Sequence, residues 1–464
     1  MRKHLIVVYV LLSACFPILA HAEDCRIPDY PHEIECGTIK VKNVITGNLE
    51  HIEWRRVEAR ARYPHADPVV WIPGGLGVDA TDRAPAVINM LSRLNNSRDL
   101  IWIDILGSGN SSPFQCAKPR QVSIREKIDV FSNLQVLQTC HDEIKSRGGF
   151  TQFSYHQLAY HYEQLRQQLK LNQVNVIADG VGSNIALAWY TLAPSALRSM
   201  VLDSPTSLDA NPAIQRAKSY ARLLNNIHHA CQQDSDCHTY HPQSNQYLKA
   251  ILSKLPQDTT LINPHTGIKE RLTMDEDIFA QLLMNILRSP ARAAALPNVL
   301  HAASEGNWQP LIGLSALSWA RLNTKFSNGL WLAGLCENGW EHTNIQLDGD
   351  AQWFYKMQEK RLKSLCHVKL KDRQTYTLPR NIPVLILSPQ ADPFAADQWS
   401  NQNNLKLIRV PGAASGVLSI GCARDIAYRF ISEPKMKNDG SDDTCLTDFP
   451  LPVVGPVNRF GRAQ

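Results

Sequence analysis

Short apolar runs rich in β-branched residues recur along the chain, and each ends in turn residues. Val69-Val70-Trp71-Ile72-Pro73 leads into a Gly-rich turn, and Leu100-Ile101-Trp102-Ile103-Asp104-Ile105 leads into a Gly and Ser turn. Val174-Asn175-Val176-Ile177-Ala178 runs into Asp179-Gly180-Val181-Gly182 and then a helical pattern over 184–193. Ser199-Met200-Val201-Leu202-Asp203 stops at Ser204-Pro205, and two further runs follow far downstream, at 383–387 and 405–410. Runs of this length that are apolar on both faces predict buried parallel strands. Two earlier segments, 39–44 and 52–59, predict an antiparallel start to the same sheet.

Between 206 and 375 the period changes to that of helices, as in 214–227 and 276–287, and no strong strand run stands out. This predicts an α/β protein with a mostly parallel sheet, helices on both faces and a mainly helical cap inserted in it. The expected division is a leader over 1–22, a first part of the α/β domain over 23–205, the cap over 206–375, and the rest of the domain with an irregular tail over 376–464.

The leader begins Met1-Arg2-Lys3-His4, continues with an apolar stretch and reaches Ala20-His21-Ala22, the layout of a secretory signal peptide cleaved after Ala22. Leu12-Ser13-Ala14-Cys15 also resembles a bacterial lipobox, so a lipid anchor at Cys15 stays open. No other segment is long and apolar enough to span a bilayer. Export to a periplasmic or extracellular compartment makes cysteine pairing the default. Without Cys15, ten cysteines remain, and sequence neighbours point to Cys25–Cys36, Cys116–Cys140, Cys231–Cys237, Cys336–Cys366 and Cys422–Cys445. The histidines beside one pair (His228, His229, His238 and His241) permit a zinc reading, but a small disulfide loop is the simpler one, and neither a metal nor a cofactor is expected. The formal charge is +5, of which Arg2 and Lys3 in the leader carry two. The remainder gives no basis for nucleic-acid binding through bulk charge.

Several turns at strand ends share one pattern. Ile72-Pro73-Gly74-Gly75-Leu76-Gly77 looks like a His-Gly-Gly-Pro-Gly oxyanion loop, and Asp104-Ile105-Leu106-Gly107-Ser108-Gly109-Asn110-Ser111 looks like an Asp-x-Arg-Gly-x-Gly-x-Ser turn with Leu106 where Arg is usual. With the placing of Cys116, Cys140, the Cys231–Cys237 loop, Cys336-Glu337 and Cys422, the chain resembles the α/β-hydrolase fold, specifically the secreted tripeptidyl- and prolyl-aminopeptidase-like group. The resemblance extends over nearly the whole chain after the leader. It implies a nucleophilic Ser on a strained strand-to-helix bend, a His that takes its proton, and an Asp that orients the His.

Aligned on that resemblance, the nucleophile position is Gly180, with Ala178 and Gly182 as the flanking small residues. Asp392-Pro393 stands at the acid position. The His position is Ser415, and no His occurs after His367. Two of the three catalytic groups are therefore replaced. The resemblance also implies an oxyanion nest from the N–H groups of Gly75, Leu76 and Val181, and it places Glu337 like a residue that holds a substrate's amino terminus. Asp179 as a substitute nucleophile competes with its reading as a hydrogen-bonded strand-end carboxylate, Ser183 reads as a packing residue, and Ser415 without a base is inert. Trp308, Trp319, Trp331, Trp340 and Trp353 either line a ligand groove or form the core of the cap. The expected function is a pseudoenzyme that holds a peptide, small molecule or protein partner in the former substrate cleft. The alternatives are an active aminopeptidase or esterase with a rearranged nucleophile, and a structural or assembly factor.

Overall fold

The computed structural model describes residues 25–27, 30–32, 34–43, 45–116, 123–205, 212–319, 326–338, 345–366, 376–390, 403–411, 413, 416–434 and 443–447. Among the described residues ten strands form: β1 (Glu35–Lys42), β2 (Leu49–Val57), β3 (Val69–Ile72), β4 (Leu100–Ile103), β5 (Val174–Asp179), β6 (Leu197–Asp203), β7 (Gln257–Ile262), β8 (Lys269–Met274), β9 (Val384–Pro389) and β10 (Leu405–Val410). Eight of them make one sheet in the order β1-β2-β4-β3-β5-β6-β9-β10. The pairs β1/β2 and β2/β4 are antiparallel and every other neighbour is parallel, as the runs of apolar residues predict.

The two-residue period of a strand explains why these runs are apolar throughout. Val70, Ile72, Ile101, Ile103, Val176 and Ala178 join one core with Leu158, Leu187 and Trp189 from the helices Tyr155–Gln168 and Gly182–Leu192. Val69, Trp71, Leu100, Trp102, Ile177 and Val201 join the opposite core with Ala84, Ile88, Ala427 and Ile431 from the helices Ala80–Met90 and Ala423–Ser432. Each large side chain so buried contributes about 1.5–3 kcal/mol.

The chain between β6 and β9 is mainly helical and includes Pro212–Gln233, Glu276–Leu287, Asn328–Glu337 and Gly349–Leu365. It also contains the antiparallel hairpin β7/β8, whose strands are not strong apolar runs. The hairpin escapes a hydrophobicity search because β7 reads Gln257-Asp258-Thr259-Thr260-Leu261-Ile262, with Leu261 alone buried. Leu261, Leu272 and Met274 join the core, and polar contacts hold the rest. The Gln309 side chain takes the Ile262 N–H at 2.9 Å and donates to the Ile262 carbonyl at 2.9 Å, and the Trp308 indole donates to Gln257 at 3.0 Å.

All five expected disulfides form. Cys231–Cys237 consumes both thiols of the region read as a zinc alternative, and among the described residues no group of three or more metal-ligating side chains gathers. Cys422–Cys445 pins the short helix Thr444–Thr447, one ordered piece of the tail expected to be irregular. No helix among the described residues is long and apolar enough to cross a membrane. The leader, with Cys15 and Ala22, lies outside the described residues.

Candidate functional site

The parallel strands β3, β4, β5, β6 and β9 all end at one edge of the sheet, and the loops that leave that edge form the candidate site. Open α/β sheets bind ligands at this edge. β5 ends at Asp179, and the helix Gly182–Leu192 starts three residues later. The bend needs a residue in the left-handed region, and Gly180 supplies it with φ +44°. Its surroundings are asymmetric. Among the described residues, a Cβ built at Gly180 meets nothing closer than the Gly74 Cα at 4.0 Å, whereas a Cβ at Gly182 falls 2.6 Å from the Ile72 carbonyl oxygen and 2.8 Å from that of Pro73. Gly182 is thus demanded by close approach of the β3 loop, while position 180 has no such close neighbour among the described residues.

The loop after β3 runs alongside this bend. Gly75 has φ +93° and its carbonyl accepts the Val78 N–H at 3.3 Å. Among the described residues, the N–H groups of Leu76 and Val181 find no hydrogen-bond acceptor. Leu76 itself is buried, because Gly334 in the helix Asn328–Glu337 leaves a notch for its side chain. That helix is fastened at both ends. The Ser327 N–H donates to the Gly77 carbonyl at 2.7 Å, the Cys116 N–H to Asn328 Oδ1 at 2.8 Å, and the Tyr155 N–H to Asn338 Oδ1 at 3.0 Å. Cys336–Cys366 adds a covalent tie. The helical segment therefore forms a fixed wall over the loop.

Below the bend lie two carboxyl groups. Asp179 and Asp203 are register partners across β5 and β6. Burial pushes the Asp179 carboxyl up despite the nearby Arg83 guanidinium and a bond from the Trp71 indole N–H to Oδ2 at 3.3 Å. Burial and the Asp179 charge push Asp203 up to about 7, against hydrogen bonds from Leu418, Ser204 and Val417. Asp179 thus sits at the strand end with Oδ2 accepting from Trp71, while its buried Oδ1 has no hydrogen-bond partner among the described residues. The other expected residues separate in their placing. Ser183 is fully buried in the first turn of its helix. Leu106, where the resemblance expects Arg, is part of the core. Glu337 is half-buried at the C-terminal end of the helix Asn328–Glu337. Trp308 and Trp319 are core residues, Trp331 stacks on Phe131, Trp353 donates to Glu276 at 2.6 Å, and Trp340 lies outside the described residues. Asp392 and Ser415 also lie outside the described residues, although Ala413 and Gly416 on either side of Ser415 are within them. Asp203 was not singled out from sequence; its position at a strand end just before Ser204-Pro205 was the available signal.

Comparison with known proteins agrees with this architecture. Residues 67–258 match the family model described as alpha/beta hydrolase fold. Over 221 residues the chain is 24% identical to the Escherichia coli (strain K12) protein named "Putative hydrolase YuaR", and the match spans 44% of each chain, so less than half of that relative's length is covered. Among solved structures, the serine hydrolase CCSP0084 from the polyaromatic hydrocarbon-degrading bacterium Cycloclasticus zankles is 9% identical with a TM-score of 0.36, covering 87% of this chain and 100% of that one. VinJ is 11% identical with a TM-score of 0.39, covering 86% of this chain and 97% of its own. With eight strands in this order, a strand-to-helix bend after β5 and the matching family model, the chain has the α/β-hydrolase fold.

Proposed function

We propose that this protein is an exported relative of the tripeptidyl- and prolyl-aminopeptidases that has lost Ser–His catalysis and uses the former substrate cleft for binding. The observation that supports this reading is Gly180: a left-handed bend where a built Cβ meets no described atom closer than 4.0 Å, at the position where the resemblance implies a nucleophilic hydroxyl, holding only hydrogen. A side chain there is strained at about 1–3 kcal/mol, and glycine removes that cost once attack is no longer needed. Loss of a triad nucleophile lowers turnover by about a million-fold. The Leu76 and Val181 N–H groups remain as donors for a carbonyl or carboxylate oxygen of a bound peptide, small molecule or protein partner. Ser415 at the His position and Asp392 at the acid position complete the reading, with the acid retained and without its base. Five disulfides support an oxidising compartment, and thus export, with cleavage after Ala22 or lipidation at Cys15.

The test is a turnover assay of the purified chain with aminoacyl, peptidyl and simple ester chromogenic substrates. No hydrolysis above buffer is expected. Robust turnover that disappears in Ser415→Ala overturns the reading in favour of an active hydrolase with a rearranged nucleophile.

A further inference from the structure

The end of β6 makes contacts to which the cleft's proposed chemistry gives no part. Asp203 is 2% exposed. Its Oδ1 accepts the Val417 N–H at 2.8 Å and its Oδ2 the Leu418 N–H at 3.0 Å. The next residue, Ser204, has φ +49°, a left-handed conformation that is costly for a residue with a Cβ. From it the Ser204 hydroxyl donates to Asp203 Oδ1 at 2.8 Å and accepts the Gly416 N–H at 3.0 Å. Three successive amides, 416–418, therefore find their acceptors on two adjacent residues more than 200 positions earlier. These amides open the 3-10 turn Val417–Ser419, whose N-cap is Gly416. An N-cap normally satisfies such amides with its own side-chain oxygen, and Gly416 has none. The acceptors are supplied from β6 instead. The same strand end holds the bend, since the Gly180 N–H donates to the Asp203 carbonyl at 2.8 Å.

We infer that Asp203 and Ser204 are positioning residues at this edge of the sheet: their carboxyl and hydroxyl oxygens fix residues 416–418 relative to the bend at Gly180. The clamp keeps the turn Val417–Ser419 in register with the bend, and among the described residues no histidine contributes to it. The strain at Ser204 is the cost of aiming its hydroxyl between Asp203 and Gly416. That this edge holds a ligand rests on the function proposed above; the clamp itself does not.

Hydrogen–deuterium exchange of the full chain tests it without a ligand or a substrate. Ser204→Ala should speed exchange of the peptide spanning 413–420 by about tenfold, the loss of one net hydrogen bond, while peptides from β5 and β9 stay at the wild-type rate. Ser204→Gly should do the same although it relieves the left-handed strain, because the hydroxyl is what is lost. Asp203→Asn should give a larger local increase, and the combined variant less than the product of the two, since the groups share one network. Wild-type protection in Ser204→Gly, or an increase spread evenly over the sheet, overturns the clamp. So does fluorophosphonate labelling of Ser204 in the wild-type chain, which makes that hydroxyl a nucleophile. If Asp203→Asn does not fold, the two Ser204 variants decide alone. Wild-type hydrolysis with local protection intact sinks the binding reading and leaves the clamp, and the reverse pattern sinks the clamp only.

Discussion

The N–H of Gly180 donates to the backbone carbonyl of Asp203 at 2.8 Å, tying the bend after β5 to the end of β6. The register that sets this bond also places the Asp179 and Asp203 carboxyls on neighbouring strands within an apolar layer. Burial and the neighbouring Asp179 raise the proton affinity of Asp203, and this bears on how the fold responds to pH.

Burial pushes Asp203 up to about 7, and burial together with Asp79 pushes Asp104 up to about 6, from a usual value of 3.8. Between pH ~4 and these folded values, the native chain holds protons that the unfolded chain has released, so stability falls as pH rises through that window. Asp67, Asp129 and Glu163 act in the opposite sense. Burial works against their ionisation, but Asn175 and Arg98, Arg361, and Arg166 respectively overcome it and hold them below the usual range. Their contribution is present above pH ~4 and fades below it. Burial pushes His228 down to about 4, and that histidine adds stability as pH rises through the same window, so the difference between chains is the measure: relative to wild type, Asp203→Asn should remove a loss of urea midpoint between pH ~4 and ~7. A difference between the two midpoints that does not change with pH contradicts the assignment.

The two glycines of the bend should respond differently to alanine. Gly182→Ala drives a methyl into the Ile72 and Pro73 carbonyls and should cost more than about 3 kcal/mol. Gly180→Ala meets open space and pays only for its φ, about 1–2 kcal/mol. Thermal denaturation of both variants checks the order, and equal losses would mean that the space beside Gly180 is filled.

Loop length ranks the disulfides. Cys336–Cys366 spans 30 residues and joins the wall helix Asn328–Glu337 to the end of Gly349–Leu365, whereas Cys231–Cys237 spans 6. Paired Cys→Ala replacement should cost about 1 kcal/mol more at the first than at the second. Chemical denaturation under oxidising conditions measures both.

Much of the architecture is legible in the residues. Strands buried on both faces read as continuous apolar runs, and β3, β5 and β9 lie where those runs place them. The bend is legible because its small residues follow directly on β5. The hairpin β7/β8 is not, since a strand with one buried residue carries almost no hydrophobic signal. The contacts of Asp203 are not legible either. Its partners Val417 and Leu418 stand 214 and 215 positions away and contribute backbone N–H groups, which no side-chain pattern reveals. Nor does any local signal place Gly334 against Leu76, a packing notch set by the crossing of two distant segments.

The central claim is that position 180 is a nucleophile's place left vacant. Intact-mass analysis after treatment with a fluorophosphonate tests it most directly, on the wild-type chain and on Gly180→Ser combined with Ser415→His. The account predicts no adduct on the wild type and a single adduct at position 180 in the double variant. An adduct on the wild type, or a folded double variant that reacts at another serine, contradicts it.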